Sequence, residues 1–126
     1  MSKKSDKIWM AFFGNASEAK DAFGITIFRN KYVQNSNNIE KGSWTIDHIF
    51  PKNPFNDNSK IERKGSNLLY NLQPLSVFSN REKDSYLGGK VNGITFSIKI
   101  IRVYEDGVIG RMMVKKGDNW FWAYNY

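Results

Sequence analysis

The pattern of apolar positions predicts helical pieces in the first part of the chain. In residues 7–23, apolar side chains recur mostly at steps of three or four, with an interruption near Gly14. Ser17 is placed to cap the second of these pieces. Residues 25–28 predict a short strand, and the polar residues 1–6 predict a loose tail. The chain therefore opens with a helical lead-in.

The middle of the chain predicts a strand, a loop, a second strand and a helix. Residues 43–49 have the composition of a strand, which the following proline ends because it lacks a backbone donor. Residues 52–65 are polar and predict a long loop, and residues 67–73 predict a second extended segment. Pro74 suits the first turn of a helix, which would continue to about Tyr86.

The last third predicts an antiparallel meander. Ile94, Phe96 and Ile98 alternate with polar residues, which is the period of a half-buried strand. The alternation breaks at Ile101, so we expect a bulge there. Asp106-Gly107 and residues 117–119 are turn signals. The meander would have three strands, within residues 91–104, 108–114 and 120–126.

The meander of residues 90–126 is expected to be structural. We expect its apolar face to pack on Trp9, Phe12 and Phe13, because the middle segment is too small to supply a large core. The aromatic residues near its end predict sheet packing, and an aromatic platform for single strands is the alternative. They are Trp120, Phe121, Trp122, Tyr124 and Tyr126.

Composition and charge narrow the class of protein. With 126 residues, 40% of them hydrophobic, one domain spanning residues 1–126 is expected. A net charge of +7 is compatible with a polyanionic partner, although many small domains are basic for no specific reason. Cysteine is absent and there is one histidine, which excludes a structural zinc of the Cys type. A metal ion would therefore be held mainly by oxygen donors, as Mg²⁺, Mn²⁺ and Ca²⁺ are.

No stretch of the sequence predicts export or a membrane span. The start is polar and basic, and the apolar run of residues 8–13 is too short for a usual signal-peptide core. We expect no membrane partner and a cytoplasmic location, with a phage or mobile-element protein acting in the cytoplasm as a further option. The sequence does not predict the oligomeric state.

Four polar residues of the middle segment carry the chemistry. His48 is the only histidine and follows Asp47, and Asn71 and Asn80 lie downstream. The Asp47 carboxylate and the Asn80 amide oxygen can share one cation, and Mg²⁺ commonly takes only one or two protein ligands. An imidazole beside such an ion can remove a proton from water near neutral pH. Because neighbours on a regular strand point to opposite faces, Asp47 and His48 must lie where the strand ends.

These residues resemble the HNH endonuclease family and its ββα-metal fold. The Asp-His pair, the central Asn71 within Asn-Leu-Gln-Pro-Leu and the final Asn80 match the family pattern, over roughly residues 20–86. The resemblance implies that Asp47 and Asn80 are the metal ligands, and that His48 is the general base. It also implies that the Asn71 amide pins the loop and orients the base. The chain departs from many members in lacking cysteine pairs and in its long inter-strand loop.

The resemblance implies a fold and a function. We expect an α+β domain: a ββα-metal unit at about residues 43–86, a helical lead-in and the meander. The expected activity is hydrolysis of DNA phosphodiester bonds with one divalent cation, Mg²⁺ or Mn²⁺. Arg81 and Lys83 are candidate phosphate contacts, or only a solvated helix face. The alternatives are a non-catalytic nucleic-acid-binding module of the same fold and an RNase or toxin-type nuclease.

Overall fold

The computed structural model of the protein describes residues 3–35, 37, 40–55 and 63–124. It contains helices α1 (Lys3–Phe13) and α2 (Val77–Lys83), and 3-10 turns at Arg29–Lys31 and Leu69–Asn71. The strands are β1 (Glu18–Lys20), β2 (Thr26–Phe28), β3 (Trp44–His48), β4 (Leu72–Ser76), β5 (Gly88–Val91), β6 (Ile94–Tyr104), β7 (Gly107–Lys116) and β8 (Asn119–Trp122). Residues 56–62 of the predicted loop, and the last two residues of the predicted third meander strand, lie outside the described residues.

The strands form three antiparallel sheets. β1 pairs with β2, β3 pairs with β4, and the remaining four strands form a meander in the order β5-β6-β7-β8. In the second sheet Trp44 lies opposite Ser76 and His48 lies opposite Leu72. This register places the end of β3 beside the start of β4.

The predicted α+β fold with a ββα-metal unit is wrong. Strand residues make up 42% of the described chain and helical residues 21%, so the protein is mainly antiparallel β and has no clear ββα-metal unit. Helix α2 has only seven residues, since Pro74 lies within β4 opposite Ile46 instead of opening the helix. Proline is tolerated there because β4 has one strand neighbour, so that its other edge needs no ladder donor.

The helical lead-in is also shorter than predicted. Helix α1 ends at Phe13, where Gly14 takes a positive φ of 61° that suits a helix terminus. The predicted second helical piece is wrong, because Glu18–Lys20 instead pairs with β2, whose Ile27 is fully buried. The predicted tail of residues 1–6 is wrong from Lys3 onward, where α1 begins.

The meander has one strand more than predicted. β5 joins β6 through Asn92 and Gly93, which both have positive φ, at 50° and 75°, as in the tight turns that match strand twist. The sequence pattern missed this turn. The predicted bulge is confirmed, since the register between β6 and β7 shifts between Ile100 and Arg102.

Two hydrophobic clusters lie in different parts of the fold. The first joins the meander to Phe23, Ile49 and Leu75, and its meander members are Val91, Phe96, Met112 and Val114. The second contains Ile8, Trp9, Ile27, Trp44 and Leu72. The predicted packing of the meander strands on Trp9, Phe12 and Phe13 is therefore wrong. The prediction is confirmed for Tyr124, which follows β8 and lies with its ring centroid 4.8 Å from that of Phe12 and 5.9 Å from that of Phe13.

Within the described part of the chain, neither helix has the length and apolar character needed to cross a membrane.

Candidate functional site

Asp47 lies in a buried ion pair near the end of β3. Gln73, directly opposite in the ladder, donates a hydrogen bond from Nε2 to Asp47 Oδ2 at 2.9 Å. Lys83 Nζ lies 3.2 Å from Oδ2 and 3.4 Å from Oδ1 of the same carboxylate. Burial raises the pKa of the Asp47 carboxyl above its usual value, although the Lys83 charge and the Gln73 hydrogen bond act to lower it. Both neighbours thus oppose the cost of burying the charged carboxylate.

The buried position of Lys83 corrects a sequence-based expectation. A solvated helix face or a phosphate contact was predicted for this residue, but its side chain is fully buried. Its ammonium also donates to the His48 carbonyl oxygen at 3.2 Å. The physical reason is the buried Asp47 carboxylate, which needs a nearby positive charge. Lys83 therefore neutralises the buried Asp47 carboxylate and does not face solvent.

The His48 ring is held in one orientation by Asn67. Its Nε2 lies 2.9 Å from Asn67 Oδ1. An amide oxygen can only accept, so Nε2 donates, and the lone pair of the neutral ring is on Nδ1. Burial lowers the pKa of His48 below its usual value; the Asn67 hydrogen bond acts in the opposite direction, and the charge of Lys52 lowers it further. The imidazole is therefore biased toward its neutral, proton-accepting form.

One open cleft brings together Asp47, His48 and Asn80, three of the four predicted chemical residues. It has a volume of about 480 Å³, and its polar lining is Asp47, His48, Lys52, Asn80, Arg81, Asp84 and Ser85. Asp47 and His48 both reach it at the end of β3, as the sequence analysis required. Lys52 and Arg81 add positive charge. Carboxylate, amide, imidazole and cationic groups thus border one space open to solvent.

Asn71 lies outside the cleft and pins the backbone that follows His48. Its Oδ1 accepts from the backbone N–H groups of Phe50 and Gly110, both at 2.9 Å. Its Nδ2 donates to the carbonyl oxygens of Phe50 at 3.0 Å and Ser66 at 2.9 Å. The side chain is fully buried with all four bonds made. Asn71 therefore positions the loop, and through Gly110 it connects the loop to β7.

Close backbone packing around Phe50 explains a glycine in the same loop. A Cβ built on Gly65 would lie 1.8 Å from the Phe50 carbonyl oxygen, a clash that a shift of a side chain could not relieve. The Gly65 N–H donates to the Pro51 carbonyl oxygen at 2.8 Å. Only glycine allows the chain to return this close to the segment that follows His48.

Helix α2, which carries Asn80 and Arg81 to the cleft, is held at its start by two residues. Ser76 caps it, accepting from the Ser79 N–H at 2.9 Å. Asp21 Oδ2 accepts from the Ser76 N–H at 2.9 Å, while its Oδ1 accepts from the N–H groups of Phe23 and Ile25. The acidic residue of the lead-in thereby fixes the start of α2.

The donor chemistry of the cleft fits one hard divalent ion. Asp47 and Asn80, which line the same cleft, have carboxylate and amide oxygens, and Asp84 adds a carboxylate. No cluster of three or more His, Cys, Asp or Glu side chains suited to a metal occurs among the residues that the structure describes. A hard ion with few protein ligands and several waters is consistent with such a sparse set. The Lys83 ammonium, however, already lies beside Asp47.

Sequence reasoning missed two residues that support the site. Asn67 orients the imidazole, and Gln73 holds the Asp47 carboxylate. The position of Gln73 was readable once the pairing of β3 with β4 was known, since it lies directly opposite Asp47. The approach of Asn67 to His48 depends on the path of the inter-strand loop, for which the sequence has no periodic signal.

Comparison with known proteins finds no family model, no curated protein and no solved structure that matches this chain.

Replacing Lys83 with methionine is expected to destabilise the protein by about 3 kcal/mol at pH 7.5, because it leaves Asp47 buried without a counter-charge. Loss of the ammonium should raise the pKa of Asp47 further, so the protonated form is favoured in the folded state. The deficit should then shrink as the pH falls through that raised pKa. Urea unfolding at pH 7.5 and 5 measures both effects.

The double variant Asp47→Asn with Lys83→Met is the control for this prediction. It removes both charges and should recover most of the lost stability. A single Lys83→Met variant as stable as the wild type would show that the ion pair is not needed for folding.

Proposed function

We propose that the protein is a divalent-metal-dependent endonuclease that hydrolyses DNA phosphodiester bonds in the cleft at the end of β3. The observation that carries the proposal is the shared cleft: the neighbouring residues Asp47 and His48 and the distant Asn80 line one space open to solvent. The same three residues, with Asn71, are those through which the sequence resembles HNH endonucleases. The proposal concerns this chemistry and does not extend to the ββα-metal fold.

Each residue has a defined task in the proposed reaction. His48 accepts a proton from water at Nδ1, while the Nε2 hydrogen bond to Asn67 keeps the ring in place. Lys52 and Arg81 attract the phosphate backbone to the cleft. Asp47 and Asn80 would hold the ion. Mg²⁺ or Mn²⁺, when bound, supplies stabilisation of the negative charge that develops on the phosphate and the leaving oxygen.

A non-catalytic nucleic-acid-binding module is the second candidate. The Lys83–Asp47 ion pair favours it, because an ammonium at 3.2 Å already neutralises the carboxylate that would otherwise attract a cation. In the nuclease, Asp47 must exchange or share this partner with the ion. The two candidates therefore differ in whether Asp47 binds a divalent ion at all.

Cleavage and metal binding test the proposal together. Supercoiled plasmid should be nicked or linearised with Mg²⁺ or Mn²⁺ and should stay intact with EDTA. Mn²⁺ titration followed by electron paramagnetic resonance should show one site, lost in Asp47→Ala and weakened in Asn80→Ala. Asp118→Ala, which removes a carboxylate from an exposed turn, is the control. Metal-independent binding to DNA without cleavage would favour the non-catalytic module, and cleavage of RNA alone would favour the RNase alternative.

The rate of cleavage should depend on pH through His48. Only the neutral imidazole can accept a proton, and burial lowers the pKa of His48 below its usual value of 6.5. The rate constant kcat/KM should thus fall about tenfold per pH unit on the acidic side, with a midpoint below pH 6.5. A pH series at saturating Mg²⁺ measures this limb. A midpoint above 6.5 would contradict the role given to His48.

A further inference from the structure

All charged residues within the four strands of the meander sheet are basic. These strands contain six basic residues and no acidic one, although the whole chain has 12 Asp and Glu. The basic residues are Lys90, Lys99, Arg102, Arg111, Lys115 and Lys116. Acidic side chains occur only in the connecting turns, where Asp106 accepts from Ser66 Oγ at 2.9–3.0 Å. The strands therefore carry a net positive charge, which favours a polyanionic ligand.

The ladder register assigns these residues to faces of the sheet. Phe96 pairs with Val114 and Val114 with Phe121; Phe96 and Val114 are buried in the first hydrophobic cluster. Side chains alternate along a strand, so the residues that precede and follow Phe96, Val114 and Phe121 point to the opposite side of the sheet. Lys115 pairs there with Trp120, and Lys90 with Thr95.

The bulge in β6 brings a further cation to this side. Lys99 pairs with Arg111 and, beyond the bulge, Arg102 pairs with Ile109, so these residues share one side of the sheet. On this side Ile109 is buried and Arg111 donates to the Tyr70 carbonyl oxygen, which leaves Lys99 and Arg102 as the cations available to a ligand. We call this side the outer face, and its defining residues are Lys90, Lys99, Arg102, Lys115, Trp120 and Trp122. Lys116 and Phe121 belong to the pairs that point to the opposite side of the sheet.

The two tryptophans of the outer face are exposed, contrary to the predicted sheet packing. Trp120 is 42% exposed and Trp122 is 50% exposed, on the strand that forms one edge of the sheet. Indole rings are flat and apolar, and unpaired nucleobases stack on them. Exposed tryptophans beside lysines, with no acidic residue in the strands, form the combination that recognises a single nucleic-acid strand.

We propose that the outer face binds single-stranded DNA, with its lysines and Arg102 on the phosphates and with Trp120 and Trp122 stacked on unpaired bases. A duplex fits this chemistry less well, because its base faces are already stacked on each other. The choice of DNA over RNA rests on the proposed function, whereas the polyanionic, single-stranded character of the ligand rests on the face alone. The outer face is distinct from the catalytic cleft, since no residue that defines it lines that cleft.

Binding of labelled oligonucleotides to the full chain tests this proposal, in EDTA so that hydrolysis cannot interfere. Fluorescence anisotropy should show dT20 binding more tightly than a 20-base-pair duplex or rU20, with quenching of tryptophan emission. Trp120→Ala with Trp122→Ala should lower the affinity for dT20 about 10- to 100-fold. Replacing both with phenylalanine should retain most of the affinity.

The same strands supply matched controls. Phe121→Ala removes an aromatic side chain that is 48% exposed but belongs to the other side of the sheet. It should change the affinity for dT20 less than threefold. Lys99→Ala with Lys115→Ala should make the salt dependence shallower by about 1.4 in log–log slope, at roughly 0.7 for each phosphate contact. Lys116→Ala should change it by less. Circular dichroism melting confirms that each variant is folded.

Several results would overturn the proposal. An equal loss of affinity in Phe121→Ala and in the double tryptophan variant would show that the outer face is not the site. Tighter binding of the duplex, or of rU20, would reject single-stranded DNA as the ligand. The outcome is separate from that of the cleavage assay, since dT20 binding in EDTA does not depend on His48, Asp47 or a metal ion.

Discussion

Replacing His48 with alanine is expected to lower the rate of DNA cleavage by about 10²- to 10⁴-fold, the usual contribution of a positioned general base. The ring is the only imidazole of the chain, and it lies at the cleft with Nδ1 as its acceptor. Single-turnover cleavage of plasmid at saturating Mg²⁺ measures the effect. DNA affinity and the melting temperature should change little, because Lys52 and Arg81 remain and the side chain is only half-buried.

Asn67→Ala is the informative companion to this variant. It leaves the imidazole in place but removes its 2.9 Å hydrogen bond, so the ring is free to turn. The loss of rate should be smaller than in His48→Ala, because the proton acceptor is still present. Wild-type rates in His48→Ala would exclude His48 as the base and would leave the chemical proposal without its central residue.

Replacing Asn71 with alanine is expected to destabilise the protein by about 4 kcal/mol. The change leaves four buried backbone groups without their partner, two N–H groups and two carbonyl oxygens, and each costs at least about 1 kcal/mol. A loss of this size is a large fraction of the stability of an ordinary small domain. Urea unfolding followed by tryptophan fluorescence measures it.

Asn67→Ala serves as the control for stability as well, since it removes an exposed amide whose partner is a side chain. Its cost should stay below about 1 kcal/mol. If Asn71→Ala lost no more stability than this control, the amide would not be what holds the loop.

The prediction also bears on truncation: without residues 90–126, Asn71 loses Gly110 and the first cluster loses four of its members. The shortened chain should therefore be unfolded or insoluble.

Asn67 and Asn71 show what the sequence could and could not predict about the residues that support the site. The resemblance implied that Asn71 pins the loop, and the structure gives its amide four partners around that loop. No comparable sequence signal distinguished Asn67, whose contact with His48 depends on the fold of the long loop. The spacing that identified Asp47, His48 and Asn80 as one group is matched by their common cleft. Their proposed roles in hydrolysis remain for the cleavage and metal-binding assays.

Local patterns along the chain determined several elements directly. Alternating apolar residues predicted β6, and its broken phase predicted the bulge between Ile100 and Arg102. Asp106-Gly107 predicted the turn between β6 and β7, because glycine accepts the positive φ of 143° found there. Each of these features has a signal in a few consecutive residues, which is why the sequence was sufficient to predict it.

The sequence by itself also determined the chemical inventory: one histidine, no cysteine, and a motif of carboxylate and amide donors. Tertiary structure alone decided where the residues lie and which partners they have. Pro74 entered a strand because pairing with β3 outweighed its preference for a helix start, and Lys83 became buried because Asp47 needed a counter-charge. The faces of the meander were decided by its packing on Phe23, Ile49 and Leu75. Each of these outcomes depends on residues distant in sequence, whose approach no local pattern records.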